Sequence, residues 1–377
     1  MNWRRTRAVA RKEFLHVLRD ARSMGMAVAI PLLMLMLYGY ALTLDVDRVP
    51  TVVWDQSQTA LSRKLTASYS GSKYFKVVGY VTSYPDLERD IDTRRALVAL
   101  VIGRDFAQRI EAGRDAPVQF IVDGSDSNTA TIAMGYADNV NRTFSKELTD
   151  KQALRSGYQA PKIPLDLRPR VWFNADLESR NYIVPGLIAV IMMVIAALLT
   201  SLTVAREWER GTMEQLISTP VKGSELVLGK LAPYFVIGLL DMCLAVLMGR
   251  FLFHVPLRGS LLLLFGMASI YLAGVLALGL LISILTRSQL LASQFAMVLT
   301  FLPAFLLSGF IFAIPNMPRA VQIITYVVPA RYFVEILKGI YLKGVGLRVL
   351  ATPATLLALF AVAMVSLAVL QFKKKLA

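Results

Sequence analysis

The sequence predicts an α-helical integral membrane protein with six transmembrane helices and an inserted extracytoplasmic α/β domain. Of its 377 residues, 55% are hydrophobic and only 18% are charged, whereas soluble domains carry more charge. The apolar residues are concentrated in six runs, each about as long as the ~20 residues that a helix needs to cross a bilayer. Between the first two runs lie 137 residues in which strand and helix patterns alternate.

Net charge and cysteine usage exclude several other classes of protein. The formal net charge is +15, from 41 Lys and Arg against 26 Asp and Glu, but the chain is too apolar for a disordered tail or a basic nucleic-acid-binding domain. The single cysteine, Cys243, forbids an intramolecular disulfide. His16 and His254 are the only histidines, so we also expect no His-based or Cys-rich metal site.

Residues 1–23 predict an amphipathic helix that lies on the cytoplasmic membrane surface. Basic residues occupy most of its circumference, which suits anionic headgroups. An apolar stripe occupies the remaining face, and its members are Trp3, Ala10, Phe14, Val17 and Leu18. The alternative is that the basic residues serve only to set the orientation of the chain.

The next run, 24–44, predicts the first transmembrane helix. A cleaved signal peptide is the alternative, but the run is too long for one and 23 residues precede it. Residues 45–181 then predict an α/β domain, since β-branched and aromatic residues dominate four short stretches. These predicted strands are 49–54, 75–81, 96–102 and 118–122, and helical patterns follow each of them.

The remaining apolar runs predict five further transmembrane helices. They are 182–205, 231–249, 260–286, 290–314 and 352–372, and a basic tail, 373–377, ends the chain. Short loops on one side of the resulting topology hold 15 Lys and Arg residues, and those on the other side hold seven. Because basic residues are retained on the cytoplasmic side, both termini are predicted to be cytoplasmic and 45–181 to lie outside.

The segment 206–230 is predicted to carry function. Its first part is helix-like, with charges of both signs at three- and four-residue spacing, and Gly211 and Pro220 would break it into short pieces. Exposed charges on broken helices suit docking to a cytoplasmic partner better than binding to lipid. An ordinary solvated loop is the alternative interpretation.

Polar and aromatic residues inside the apolar runs are candidates for a translocation pathway. Asp241 lies in the middle of a predicted helix, where a carboxylate indicates either a functional site or a structural hydrogen bond to a neighbouring helix. Met297, Phe301, Phe305 and Phe310 could line a pathway for amphiphilic compounds. The alternative for these four is ordinary packing between helices.

Several motifs resemble those of the ABC type-2 exporter permeases, and they occur in the same order along the chain. The central motif runs from Arg206 to Leu216 as REWERGTMEQL, with Thr219-Pro220 and Gly229-Lys230 behind it. The others are Lys12-Glu13-Phe14 with Arg19-Asp20, Leu307-Ser308-Gly309-Phe310, Asn316-Met317-Pro318, Pro329-Ala330-Arg331-Tyr332-Phe333 and Lys343-Gly344. The resemblance covers essentially the whole chain and implies the ABC type-2 exporter fold.

The resemblance implies that ATP binding and membrane transport are functions of different subunits. A cytoplasmic nucleotide-binding subunit would bind ATP and Mg²⁺, and this chain would bind no cofactor. The spacing of Gly223 from Gly229-Lys230 is indeed one residue too long for a phosphate loop, and Leu231 stands where Ser or Thr would bind magnesium. A coupling segment would receive the motion of that subunit, through Arg206, Glu207, Glu209, Arg210, Gly211, Thr212, Glu214, Thr219 and Pro220.

The resemblance also bears on residues 315–351. A seventh span over 321–342 would place Arg331, Glu335 and Lys338 in lipid, at roughly 2.5 to 3.5 kcal/mol each. A pair of extracytoplasmic re-entrant helices broken at Pro329, with Tyr332 in the second, avoids that cost.

The predicted function is therefore that of the membrane permease subunit of an ABC exporter in a bacterial inner membrane. The implied partners are a second permease copy or paralogue, a nucleotide-binding subunit, the lipid bilayer, and a periplasmic adaptor with an outer-membrane channel. A drug-like or amphiphilic compound is the expected substrate, and no nucleic acid is expected to bind. The alternative function is a membrane-tethered scaffold or sensor whose outer domain binds a ligand.

Overall fold

The computed structural model describes residues 2–20, 25–41, 47–156, 173–174 and 178–372. The chain divides into a helical unit, Met1–Thr43 with Val171–Ala377, and an α/β unit, Leu44–Arg170. The predicted basic tail, 373–377, lies outside the described residues. The predicted fold class is confirmed, since long apolar helices form one unit and a small sheet with its helices forms the other.

The chain starts with two helices of the helical unit. Helix α1 covers Trp3–Arg19, and the side chain of Asn2 caps its first turn by accepting from the Arg4 amide. The first apolar run is described from Gly25 to Ala41, as a π-helical turn, Gly25–Ala29, followed by α2, Ile30–Ala41.

The α/β unit contains a four-stranded sheet in the order β2-β1-β3-β4. Strands β1 and β2 are parallel, as are β1 and β3, whereas β4 runs antiparallel to β3. The strands are β1 (Val49–Asp55), β2 (Phe75–Tyr80), β3 (Val98–Ile102) and β4 (Val118–Val122). The helices are α3 (Ala60–Ser70), α4 (Tyr84–Asp92), α5 (Phe106–Glu111) and α6 (Ser127–Ser156).

The two central strands of this sheet are covered on both faces. Val53 and Leu100 point into one apolar core and Val52 and Ala99 into a second, as the twofold alternation of strand residues requires. All four strands occur where the sequence predicts them, and the two central ones carry the continuous apolar runs that burial on both faces produces.

Among the residues described, the helical unit continues with five long α-helices and three short ones, together with a 3-10 turn, Ile314–Asn316, and a π-helical turn, Gly339–Lys343. The long helices are α7 (Ser179–Glu209), α9 (Gly223–Phe251), α10 (Leu261–Thr286), α11 (Gln289–Leu307) and α14 (Ala351–Gln371). The short ones are α8 (Thr212–Ser218), α12 (Arg319–Thr325) and α13 (Pro329–Lys338). Each of the five long helices is long and apolar enough to span a membrane, and α7 is the most buried of them.

Successive long helices run in opposite directions. At one end of the unit, Gln289 at the start of α11 contacts Glu209 at the end of α7, and Gly223 at the start of α9 packs against Phe372 after α14. We call this the α1 end, since α1 lies there. The opposite end, which we call the far end, holds Tyr182, about 36 Å along α7 from Arg206. That separation exceeds the ~30 Å thickness of a hydrocarbon core.

Helices α12 and α13 form a bent pair at the far end. Their axes differ by 86° across a break at residues 326–328. Pro329 begins α13, where a missing backbone N–H is tolerated. Phe333 of this pair stacks on Tyr271, about 15 Å along α10 from its first residue, with the ring centroids 4.1 Å apart. The pair therefore reaches into the interior of the helical unit.

The helices extend further at the α1 end than the apolar runs predict. Helix α7 continues to Glu209, and Gly211, with φ 69°, then allows the sharp turn into α8. Helix α9 starts at Gly223 rather than Leu231. The irregular part of the predicted 206–230 segment is therefore short, because charged residues with helix-forming side chains prolong both membrane helices.

Gly279 allows α7 and α10 to pack closely, and its substitution gives the first testable prediction. A Cβ at this position would overlap Thr200 Oγ1 and the Ala197 carbonyl of α7. The carbonyl is part of the helix backbone, which cannot move aside as a flexible side chain can. We expect Gly279→Ala to destabilise the protein by roughly 1 to 3 kcal/mol, through overpacking. Thermal unfolding of the detergent-solubilised protein measures the effect.

The matched control is Gly266→Ala in the same helix, where a Cβ meets nothing within 4 Å. This variant should be neutral or slightly stabilising, because alanine favours helix more than glycine does. Equal thermal stability of the two variants would contradict the close packing of α7 and α10.

Candidate functional site

Helix α1 packs along the first turns of α9. A Cβ on Gly229 would lie 2.8 Å from Val9 Cβ and 3.1 Å from the Thr6 carbonyl, so glycine permits the close approach. Glu13 and Val17 are buried on this face of α1. Three residues of the predicted apolar stripe lie elsewhere: Trp3, Phe14 and Leu18 are 70%, 41% and 51% exposed.

This placement corrects the predicted amphipathic face. The sequence predicts one stripe that contains Val17 with Trp3, Phe14 and Leu18, but the helix has two neighbouring strips. One strip packs against α9, and the other remains exposed beside the basic residues. An exposed aromatic and aliphatic strip next to arginines is typical of a helix at a membrane surface.

Four charged residues from three helices meet beneath α1, and we call them the α1 charge cluster: Lys12, Glu13, Glu207 and Lys230. The Lys230 ammonium lies 2.9 Å from Glu13 Oε1 and 2.8 Å from Glu207 Oε2. Lys12 Nζ lies 2.8 Å from Glu207 Oε1 and 3.5 Å from Glu13 Oε1. The cluster therefore joins α1, α7 and α9.

Burial separates the members of the α1 charge cluster. The side chains of Lys230, Glu13 and Glu207 are 1%, 6% and 9% exposed, whereas that of Lys12 is 55% exposed. Burial would raise the pKa of Glu13, but the adjacent Lys230 and Lys12 ammonium groups outweigh it and hold that pKa below its usual value. Partial burial would lower the pKa of Lys12, yet Glu207 and Glu13 raise it. Glu13 and Lys12 are thus ionised at neutral pH.

Further contacts tie α1 to the same neighbours. Arg206 Nη1 pairs with Asp20 Oδ2 at 3.2 Å, and the guanidinium of Arg5 donates to the Pro220 carbonyl. The backbone N–H of Asn2 donates to Glu225 near the start of α9. Both ends of α1 are therefore attached to residues between the last turn of α7 and the first turn of α9, while Arg19 is exposed.

The predicted coupling residues fall into an inner and an outer group. Glu207 is buried in the α1 charge cluster and Arg206 is half-buried, so neither is the freely exposed charge that the spacing suggested. Glu209 is exposed but accepts a hydrogen bond of 2.7 Å from the Gln289 backbone, and Thr219 is half-buried. The outer group is exposed and comprises Arg210, Gly211, Thr212, Glu214 and Pro220.

The candidate pathway residues do not form one site. Asp241 lies in a cleft lined by α2, α7 and α9, with Leu272 of α10. Phe301, Phe305 and Phe310 form a separate aromatic row on and beyond α11, in which neighbouring ring centroids are 5.4 and 5.8 Å apart. Met297 is 53% exposed on the surface of α11.

Three of the predicted re-entrant residues, Arg331, Glu335 and Lys338, line a basic hollow at the far end, and Pro329 and Tyr332 are buried beside it. Lys338 Nζ donates to the Gly309 carbonyl at 2.8 Å and lies 3.3 Å from the centroid of the Tyr182 ring. Arg331 donates to Thr325 and stacks over Tyr326. Glu335 is exposed in the same hollow, and the Tyr332 hydroxyl donates to the Tyr326 carbonyl.

Sequence reasoning missed the role of Lys230 as the centre of the charge cluster. Its family motif was recognised, but its partners are 23 and 217 positions away, beyond any local pattern. One signal was available: Lys230 is flanked by apolar residues, and a lysine in an apolar run requires a counter-ion.

Comparison with known proteins agrees with this architecture. Residues 22–370 match the family model described as "ABC-2 family transporter protein". The chain belongs to the ABC-2 transporter family. The predicted family is confirmed, and this ABC-2 permease is a multi-pass membrane protein and a transport subunit rather than an enzyme.

Curated relatives cover nearly all of the chain. "Probable multidrug ABC transporter permease YbhS" of Escherichia coli (strain K12) is 39% identical over 377 residues, which is 100% of this chain and 98% of the relative. "Probable multidrug ABC transporter permease YbhR" of the same organism is 31% identical over 338 residues, 89% of each chain. "Inner membrane transport permease YhhJ" is 26% identical over 328 residues, 86% of this chain.

The second testable prediction concerns the anchoring of α1 in this ABC-2 permease. Lys230→Met leaves two buried carboxylates without their shared cation, and breaking a buried pair costs about 3 to 5 kcal/mol. We expect α1 to detach, so that the amides of Trp3–Arg19 exchange hydrogen with solvent much faster than in the unaltered protein. Hydrogen exchange measured by mass spectrometry tests this outcome.

Lys12→Met is the matched control. Lys12 has the same charge as Lys230 and pairs with the same two carboxylates, but its side chain is largely solvated. Its loss should change the stability of α1 by about 1 kcal/mol or less. Adding Glu13→Gln and Glu207→Gln to Lys230→Met should slow exchange again, since the one charge that remains, on Lys12, is largely solvated and no buried charge is left unpaired. Equal exchange in the two lysine variants would show that Lys230 does not hold α1.

Proposed function

We propose that this permease subunit exports small amphiphilic compounds across a bacterial inner membrane, using ATP hydrolysed by a separate nucleotide-binding subunit. In this proposal the α1 end is cytoplasmic, and both the α/β unit and the far end face the periplasm. The distribution of Lys and Arg supports this orientation. The printed names of two relatives, which call them multidrug permeases, support the substrate class.

The observation that carries the proposal is the placement of Glu207. It lies buried between Lys230 and Lys12, three residues before the exposed turn that starts at Arg210. A subunit docked on the exposed turn would push on α8 and the end of α7. The α1 charge cluster would pass that motion to α1 and α9 together, because its ion pairs join all three helices.

The remaining parts of the complex follow from the same proposal. ATP and Mg²⁺ would bind only to the nucleotide-binding subunit, so that this chain needs no cofactor. A second permease copy or a paralogue would complete the translocation pathway. The α/β unit would provide the surface for a periplasmic adaptor that leads to an outer-membrane channel.

A charge reversal on the exposed turn gives the third testable prediction. Arg210→Glu should weaken copurification of the nucleotide-binding subunit about tenfold, or ~1.4 kcal/mol, through lost charge complementarity. Quantitative pull-down from the native membrane measures the loss. Arg319→Glu is the matched control, since Arg319 is equally exposed but lies on α12 at the far end.

If Arg210→Glu still binds the nucleotide-binding subunit and Arg319→Glu binds it less, the docking surface lies at the far end and not at the α1 end, which contradicts the proposal. If no ATP-binding subunit copurifies with the unaltered chain at all, the tethered scaffold or sensor becomes the better function.

Direct measurement of transport gives the fourth testable prediction. Inside-out membrane vesicles that contain both subunits should accumulate a fluorescent amphiphilic dye when ATP is supplied, because the cytoplasmic side then faces the medium. Vesicles with an ATPase-inactive partner should accumulate none. ATP-driven loss of dye from preloaded vesicles would mean that the permease imports instead.

A further inference from the structure

The basic hollow at the far end is large enough to hold a ligand. About 680 Å³ of its interior is open to water, within the range of about 300 to 1,000 Å³ that is usual for small-molecule sites. Helix α13 supplies three charged side chains to its lining, Arg331, Glu335 and Lys338, and the π-helical turn that follows supplies Lys343. Three basic side chains therefore face one acidic side chain in the hollow.

The two basic residues of α13 keep N–H donors for a ligand. Neither Arg331 nor Lys338 forms an ion pair with a carboxylate among the residues described. The hydrogen bonds of Arg331 come from Nη1, which donates to the Gln322 carbonyl and to Thr325 Oγ1, so Nε and Nη2 have no acceptor in the described part of the chain. Lys338 Nζ has three N–H groups and donates to one acceptor there, the Gly309 carbonyl. An anion in the hollow could accept from both side chains.

The hollow lies at the level of the lipid headgroups. Lys338 lies over the ring of Tyr182, where the apolar stretch of α7 begins. The guanidinium of Arg331 stacks on a second tyrosine, Tyr326, 3.9 Å from the ring centroid. Tyrosine concentrates at membrane–water interfaces, because its ring is apolar and its hydroxyl is polar. The phosphates of lipids lie at this level, whereas soluble anions are not concentrated there.

Much of the remaining lining is apolar. Its members include Ile314, Leu342, Val345 and Val349, and Val349 is 69% exposed. Burial of such side chains against an acyl chain adds to the attraction between opposite charges. A soluble phosphate ester would gain nothing from this wall, so the lining favours an amphiphilic anion.

The basic residues of this region are not explained by topology. Residues 319–348 carry five Lys and Arg residues and one Glu. In the proposed orientation they lie on the periplasmic side, where short loops are usually poor in Lys and Arg. Binding of an anion accounts for this excess of positive charge.

We propose that the basic hollow binds the headgroup of an anionic phospholipid, with Arg331 and Lys338 on the phosphate and the apolar wall against the start of an acyl chain. Arg331 offers a planar fork of N–H donors that matches phosphate oxygens, and Lys338 offers a compact charge. The lipid comes from the periplasmic leaflet in the proposed orientation. This inference goes beyond the proposed transport function, because binding requires neither ATP nor a transported substrate.

The test is native mass spectrometry of the purified full-length permease in detergent, titrated with phosphatidylglycerol or with phosphatidylcholine of identical acyl chains. Both lipids have a phosphodiester, but the ammonium group of choline neutralises the charge of the second. We expect the Kd of the first phosphatidylglycerol to be at least tenfold lower than that of phosphatidylcholine, or ~1.4 kcal/mol. Equal Kd values would overturn the proposal.

Substitutions assign the lipid to the hollow, since α1 is also basic. Arg331→Gln combined with Lys338→Gln should remove one tightly bound phosphatidylglycerol from the spectrum. Glu335→Gln should strengthen binding about two- to fivefold, because a negative charge near the headgroup is lost. Arg319→Gln is the matched control and should change nothing, since Arg319 is exposed at the same end but does not line the hollow. An unchanged lipid count in the double variant, or an equal loss in Arg319→Gln, would contradict the assignment.

Two further variants separate lost charge from lost packing. Lys338→Arg keeps the charge over the Tyr182 ring and should retain the lipid, and the thermal unfolding midpoint shows whether each variant is folded. Lys343→Gln removes an exposed charge of the hollow and should weaken binding at least twofold. It provides the same test if the double variant does not fold, and unchanged binding in that case would overturn the proposal.

Glycerol 3-phosphate distinguishes a lipid from a soluble phosphate ester, because it has the phosphate but no acyl chain. A hundredfold excess over phosphatidylglycerol should not displace the bound lipid. Displacement would show that the hollow serves soluble phosphate esters and would overturn the assignment to a lipid. None of these measurements involves the nucleotide-binding subunit, so their outcome is independent of the proposed transport function.

Discussion

A single buried ammonium group determines how the α1 end is organised. Lys230 is 1% exposed, and a lysine can be charged at such a position only when carboxylates surround it. The two carboxylates come from different helices, Glu13 on α1 and Glu207 on α7, so satisfying one cation fixes three helices relative to one another. This requirement holds helix α1 against α7 and α9.

The α1 charge cluster is electrically balanced, because two lysines face two glutamates. The arginines of α1 take no part in it, and most of them are exposed. The same helix can therefore be buried on one side and strongly basic on the other. Any force that moves the end of α7 must either carry α1 and α9 along or separate buried opposite charges, and moving together costs less.

Local patterns predicted the secondary structure of this chain much better than the contacts between its charged residues. Apolar runs and β-branched stretches identified the long helices and all four strands, because burial of whole segments leaves a signal in neighbouring residues. Glu207 was misplaced for the opposite reason: its neighbours Arg206, Glu209 and Arg210 give a pattern typical of a solvated surface. Its burial depends on Lys12 and Lys230, which only the tertiary structure brings beside it.

The contrast between Glu207 and Asp241 shows how a buried carboxylate indicates function. Both are less than 10% exposed, but the protein supplies Glu207 with two cations and supplies Asp241 with none among the residues described. A paired carboxylate holds helices together, because ion pairs within the fold offset the free energy that its desolvation costs. An unpaired one has no partner among the described residues, and no internal ion pair offsets the free energy that its burial costs. Burial alone therefore does not distinguish the two roles, whereas the presence or absence of an internal counter-ion does.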